Sequence, residues 1–279
     1  MKNKILKIAI VGRTNAGKST LINSIVGEKI SIQNKKINTT IDTIIGIVNI
    51  KEIQLIFYDT PGSSFLKSSI LESKKLKLNL WNGINEADII IYLIDSKKIN
   101  INFLFDQLKK LNETRKKIFI IFNKIDIIEK KNILPFIDQI SQTFKIESFF
   151  MISAKKNVGI NYMLRNITKY SYSSKWLFDK NEITNKDDKF IINELLRETL
   201  LNFLHKEIPY NLDIKTSHYK ILKNKNFKIK QKIYIPENRY KKIILGKKGE
   251  MIKRIRQETQ KKISNLLKAK IHLYIEIIN

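Results

Sequence analysis

One octapeptide constrains this chain more than any other stretch: Gly12-Arg13-Thr14-Asn15-Ala16-Gly17-Lys18-Ser19. An apolar run at residues 7–11 precedes it and reads as a buried strand, and a helical pattern follows. In that context the spacing G-x-x-x-x-G-K-S makes a loop whose amides wrap phosphates at a helix N-terminus. Glycine is kept where the backbone must take positive φ or let a ligand approach. Here it is scarce, 9 residues in 279, less than half the usual share of about 7%. Five of the nine lie in three short loops: Gly12 and Gly17 in the octapeptide, Gly62 closing Asp59-Thr60-Pro61-Gly62, and Gly246 and Gly249 bracketing Gly246-Lys247-Lys248-Gly249. Their placement marks where phosphates approach, those of a nucleotide near the start and those of a nucleic acid near the end.

The fold around the first loop follows from further apolar runs at 54–59, 89–95, 117–123 and 148–152. Runs apolar on both faces, separated by segments long enough for crossover helices, predict a doubly wound α/β domain. The less cleanly alternating stretch 44–50 predicts an edge strand. Ligands of such sheets bind at the carboxyl ends of the strands, and the motifs fall there. Gly12, Asn15, Ala16, Gly17 and Thr20 line the loop, Lys18 reaches the β and γ oxygens, and Ser19 holds Mg²⁺. Asp59 ends its strand where the acidic contact to Mg²⁺ belongs, and the Gly62 N–H is placed to sense a γ-phosphate. In Asn38-Thr39-Thr40 one threonine is expected to place its hydroxyl on Mg²⁺ and its N–H on the γ-phosphate; Thr40 is the candidate and Thr39 the alternative. Lys18, Thr40 and Gly62 are thus the candidate catalytic groups, and Ser19, Thr40 and Asp59 the candidate metal ligands.

Base choice rests on Asn123-Lys124-Ile125-Asp126, an N-K-x-D pattern. A carboxylate at Asp126 accepts two hydrogen bonds from guanine N1 and N2, a donor pair that adenine lacks. Lys124 would lie over the ring. The chain is rich in Asn and Lys, so chance alone gives about 0.2 matches, and a second match occurs at Asn185-Lys186-Asp187-Asp188. Context separates them: Asn123 ends an apolar strand, whereas the second follows a polar stretch and predicts an N-cap at Asp187 or Asp188. Ser153-Ala154-Lys155, at the end of the last apolar run, offers a backbone N–H to guanine O6.

A linker is expected over 171–186, beginning in a Tyr/Ser-rich stretch, so that the domains read as 1–170 and 187–279. The second region reads as a helix over 187–206 with Ile191, Leu195, Leu196, Leu200, Phe203 and Leu204 on its apolar face. Strands follow at 210–218 and 228–235, then a short helix at 239–245, a long helix ending near 267, and a strand at 270–277. Net charge is +27, and 19 Lys and Arg against 3 acids fall within 215–272, the clustering expected of a polyanion-binding domain. The Gly246–Gly249 loop carries Lys247 and Lys248 and precedes Lys253 and Arg254, as in a K-homology loop that clamps about four nucleotides. The lysines at 220, 223, 225, 228, 230 and 232 are assigned mostly to solvated faces. With no cysteine, disulfides and thiolate chemistry are excluded, and the three histidines form no zinc-spaced cluster. No apolar run approaches the ~18 residues of a membrane span.

Together these residues resemble the Era family of GTPases: G-R-x-N-x-G-K-S-T at 12–20, T-T at 39–40, D-T-P-G at 59–62, N-K-x-D at 123–126, S-A-K at 153–155 and the G-x-x-G loop at 246–249. The resemblance implies a P-loop GTPase domain followed by an α+β type II KH domain, with GTP or GDP and Mg²⁺ as ligands. It implies binding of 16S-type rRNA near its 3′ end and assistance to 30S subunit assembly. Relatives with Asn at the position of Asn15 use K⁺, which makes K⁺ a further candidate cation. A cytoplasmic monomer is expected, with peripheral contact to anionic membrane as a second use of the basic charge. Ile41 stands where the family commonly has Arg, and Ser63 where a hydrophobic residue is usual. No glutamine follows Gly62 to orient water, so slow hydrolysis is expected. The rival reading is a GTP-independent RNA-binding or chaperone-like protein with a degenerate G domain. A tRNA-modification GTPase would carry a C-terminal cysteine, and a double-G-domain GTPase a second P-loop; neither is present.

Overall fold

The computed structural model describes residues 3–28, 30, 44–62, 71–204 and 212–279. It divides into two compact units, residues 1–185 and 186–279. Among the described residues the first unit is built on a seven-stranded sheet. Its strands are β1 (Lys4–Gly12), β2 (Ile44–Ile50), β3 (Ile53–Asp59), β4 (Ile89–Asp95), β5 (Lys117–Asn123), β6 (Ser148–Ile152) and the two-residue β7 (Tyr172–Ser173). The order is β2-β3-β1-β4-β5-β6, with β7 antiparallel to the start of β1. Neighbours from β3 to β6 run parallel, and β2 is an antiparallel edge formed by a hairpin with β3.

The central strands are covered on both faces, which is why their sequences read as continuous apolar runs. Ile8, Ala9 and Ile10 of β1, Ile90 and Ile91 of β4, and Ile120 and Ile121 of β5 are fully buried. The helices supplying that cover are α1 (Lys18–Val26), α2 (Leu71–Glu86), α3 (Ile101–Asn112), α4 (Leu134–Thr143) and α5 (Ile160–Ile167). Parallel register brings Gly12, Asp59, Asp95, Asn123 and Ile152, the last residues of five strands, to one edge. That common edge positions the site.

The stretch expected as a linker is bonded along the first sheet. Ile47 N–H donates to the Ile183 carbonyl at 2.9 Å, and the Trp176 indole donates to the Glu52 carbonyl at 3.1 Å. Gln54, fully buried, accepts from the N–H groups of Leu177 and Phe178 at 2.9 and 3.1 Å and donates to the Phe178 carbonyl at 2.9 Å. A polar glutamine buried in β3 needs such partners, and the strap of residues 176–185 provides them.

The second unit begins with α6 (Asp188–Phe203), capped by Asp187, whose carboxylate accepts from Phe190 N–H at 2.8 Å. Then follow β8 (Asp213–Ile221), β9 (Phe227–Tyr234), α7 (Asn238–Leu245), α8 (Glu250–Leu267) and β10 (Ile271–Ile278), the expected α-β-β-α-α-β order. β9 lies between β8, antiparallel, and β10, parallel. Helix and strand side chains interlock: Leu195 and Ile263 pack with Ile229 and Leu273, and Leu196 and Ile255 with Ile214 and Ile233. Phe203 is a correction: it is exposed, and the packed face of α6 runs instead through Ile192, Leu195, Leu196, Thr199 and Leu200.

Candidate functional site

The loop after β1 is shaped by backbone that only glycine tolerates. Gly12 has φ 156°, and a Cβ there would fall 2.3 Å from the Leu93 carbonyl oxygen of β4. Gly17 has φ 101°, and a Cβ there would fall 2.4 Å from the Asn123 Nδ2. Asn15 also takes positive φ, 66°, a conformation that asparagine adopts more readily than most residues. Ala16 is buried, Thr20 lies half-buried on α1, and α1 starts directly after Gly17, so its free amides face the loop.

Lys18 is buried and folded back into the loop, with Nζ donating to the Gly12 and Arg13 carbonyls at 3.1 and 3.3 Å. Burial pulls its pKa down to about 8, against the opposing pull of Asp59. Ser19 Oγ donates to Asp59 Oδ2 at 2.9 Å, and Asp59 is fully buried. A hydroxyl and a carboxylate this close form a hard oxygen pair of the kind Mg²⁺ takes alongside phosphate oxygens and water; this donor set fits the ion. Thr60 anchors the next turn by donating to the Ile10 carbonyl at 2.6 Å. Gly62 is buried against Thr14, whose Oγ1 lies 2.6 Å from where a Cβ would be, so it sits on the phosphate loop itself. Thr39, Thr40, Ile41 and Ser63 lie outside the described residues.

Asn123 joins this loop to the base-reading end of the site. Its Nδ2 donates to the Ala16 carbonyl at 2.9 Å, while its Oδ1 accepts from Ala154 N–H at 2.9 Å and Lys124 N–H at 2.8 Å. Lys124, at φ 69°, bends across the loop; its Nζ donates to the Asn15 carbonyl at 2.8 Å and pairs with Asp95 at 2.6 Å. Asp126 is exposed and accepts from the Ser153 hydroxyl at 2.6 Å, a bond that holds its carboxyl below its ordinary value. Lys155 is exposed and adds to that stabilisation of the carboxylate. The sequence motifs thus converge on one edge. Three supporting residues had no role assigned from sequence, although Thr60 lies within the D-T-P-G motif. Asp95 fixes Lys124, Thr60 fixes the turn after Asp59, and Ser24 donates to the Ala154 carbonyl at 2.7 Å. Asp95 carried a readable signal as the acidic end of an apolar strand, and Thr60 as part of D-T-P-G; Ser24 carried none.

Two family models match this chain: one described as 50S ribosome-binding GTPase over residues 7–124, and KH domain over residues 202–279. GTPase Era of Ehrlichia ruminantium is 35% identical over 96% of this chain and 90% of its own length. GTPase Era of Rickettsia akari is 36% identical over 98% and 92%. The chain belongs to the Era family of GTPases. Among solved structures, Era in complex with MgGDPNP and nucleotides 1506-1542 of 16S ribosomal RNA is 29% identical, with a TM-score of 0.88 over 99% of this chain and 93% of that one. A point variant of Aquifex aeolicus Era bound to GDP and AlF4⁻ gives 0.89 over the same shares.

The Era-type glycine loop lies in the second unit, between α7 and α8. Gly246 has φ 70°, and a Cβ there would meet the Met251 Cβ at 2.6 Å. Gly249 has φ 77° and open space beside it. Between them Lys247 and Lys248 are exposed on a single 3₁₀ turn, and Lys253 and Arg254 are exposed on the first turns of α8. None of these four cations has an acidic partner among the described residues. The arrangement presents positive charge at a helix N-terminus, where phosphates bind. Among the described residues no helix is long and apolar enough to cross a membrane.

Proposed function

We propose that this Era-family protein is a GTP-binding, slowly hydrolysing switch that binds 16S-type rRNA through its KH domain and assists 30S subunit assembly, as a cytoplasmic monomer. Peripheral attraction to anionic membrane is a secondary consequence of its charge. The observation that carries the reading is the Asn123 network. One side chain ties the phosphate loop at Ala16 to Lys124 and Ala154, fixing the distance between a phosphate site and a guanine site. In this reading Lys18 exchanges its contacts with loop carbonyls for β and γ oxygens, and Ser19 and Asp59 hold Mg²⁺. When bound, Mg²⁺ neutralises charge on the phosphate oxygens. Asp126 accepts from guanine N1 and N2, Lys124 covers the ring, and Ala154 N–H faces O6. Thr40 and Gly62 respond to the γ-phosphate. The absence of a glutamine after Gly62 keeps intrinsic turnover slow.

The test is nucleotide competition. Mg²⁺-dependent binding of GTP and GDP that excess ATP does not displace supports the reading; displacement by ATP at equal concentration contradicts it.

A further inference from the structure

The open face of the second unit's sheet carries a charge pattern that neither the nucleotide site nor the glycine loop uses. Ile214, Ile229, Ile233, Ile271 and Leu273 are buried under α6, α7 and α8. Strand side chains alternate, so the intervening residues project from the opposite face. Register sets them in rungs across β8 and β9: Lys215 opposite Lys232, His218 opposite Lys230, and Lys220 opposite Lys228. The bulge between Thr216 and His218 keeps His218 and Lys220 on this side.

Like charges directly opposite each other in antiparallel strands are destabilising, and two of these three rungs set lysine against lysine. Five lysines on the face are offset by Asp213, 3.1 Å from Lys215, and by Glu276, 2.8 Å from Lys230. Both pairs are largely solvent-exposed and contribute little. Tyr274 lies beside Lys230 on β10, is 52% exposed, and has the Lys228 ammonium 5.8 Å from its ring.

We propose that this open sheet face is a second RNA-binding surface, which takes the sugar-phosphate backbone without reading sequence. Lysines set on positions about 4.8 Å apart across strands and about 7 Å apart along them carry point charges suited to phosphates rather than base edges. A polyanion relieves the lysine rungs that the free sheet must carry. Exposed positions on this face are lysine, histidine, tyrosine and carboxylate; its aliphatic Ile278 is half-buried, and the exposed Ile221 at the end of β8 alternates with Lys220 to the other side, so the face lacks the cluster of exposed apolar anchors that an interfacial membrane site inserts. The inference rests on the second domain being an RNA binder, and the glycine loop gives an independent control on that.

The test uses the full chain and two RNAs: the 16S segment 1506-1542 and a single strand of about eight nucleotides, enough to fill the glycine loop. The variant Lys220→Gln/Lys228→Gln/Lys232→Gln should bind the long RNA about tenfold more weakly near 0.15 M salt, with the salt slope reduced by about 2. It should bind the short strand as the parent does, and its melting temperature should hold or rise as the rungs are relieved. The variant Lys247→Gln/Lys248→Gln should weaken both RNAs. Unchanged affinity and slope for the long RNA in the triple variant overturn the proposal. So does equal loss of both RNAs, or loss confined to phosphatidylserine vesicles. A parent chain that binds neither RNA overturns the underlying RNA-binding reading, and this proposal with it.

Discussion

Lys18 is where burial and charge compete most directly. Its ammonium is held by two loop carbonyls and pulled to about 8 from an ordinary 10.5. The unfolded chain therefore holds an extra proton between those values, so this group's contribution raises stability as pH climbs through that window. Triphosphate binding has the opposite sign, because the anion favours the charged lysine. GTP binding should thus take up a fraction of a proton near pH 8, and affinity should weaken as pH rises above it. Calorimetry in buffers of different ionisation enthalpy measures the uptake, and the Lys18→Ala variant should lack both nucleotide binding and the uptake. At the other end of the site, Asp126→Asn replaces an acceptor by a donor facing guanine N1 and N2. GTP affinity should fall at least about a hundredfold, and xanthosine triphosphate, whose 2-oxo group accepts, should bind better than GTP. Equal GTP affinity in this variant would remove Asp126 from base reading.

At the scale of elements, Asn123 and Gln54 perform parallel tasks at two places in the first sheet. Asn123 ends β5 and links loops across the carboxyl edge, whereas Gln54 lies in β3 and fastens the strap of residues 176–185. Gln54→Ala leaves the Leu177 and Phe178 amides without their acceptor and should cost about 2–4 kcal/mol, read as a lower urea midpoint. An unchanged midpoint would mean the strap adds nothing to the first domain's stability. The two residues also differ in how legible they were. Asn123 stood in a motif at the end of an apolar run, so periodicity and chemistry agreed. Gln54 opened its run without any signal, because its partners lie more than a hundred residues away. The strap itself read as a linker for the same reason: Gln54 bonds the main chain of Leu177 and Phe178, and main-chain partners leave no trace in the sequence. Within α6, a helical pattern placed Phe203 on the apolar side, but the last turn buries Leu200 and Leu201, with Leu204 just beyond it, and leaves Phe203 37% exposed. The lysine rungs were unreadable at sequence level, since only strand register reveals which lysines oppose each other.

Over the whole molecule, the two candidate phosphate-binding glycine loops sit in separate compact units, each built on glycine-permitted backbone. Modularity then predicts that Lys18→Ala, which is expected to remove nucleotide binding, leaves RNA affinity in the nucleotide-free protein within about twofold, since sites that share no partners act independently unless coupled. Loss of RNA binding in the folded variant would contradict that separation. The rival reading, an RNA-binding protein with an inert G domain, differs in one quantity. That quantity is steady-state GTP hydrolysis by the full chain with Mg²⁺, measured with and without the 16S 3′-end RNA and in K⁺ or Na⁺. A GTPase switch should turn over GTP slowly and ATP not at all, with the activity lost in Lys18→Ala; no turnover of GTP under any of these conditions would contradict a switch and leave the inert G domain.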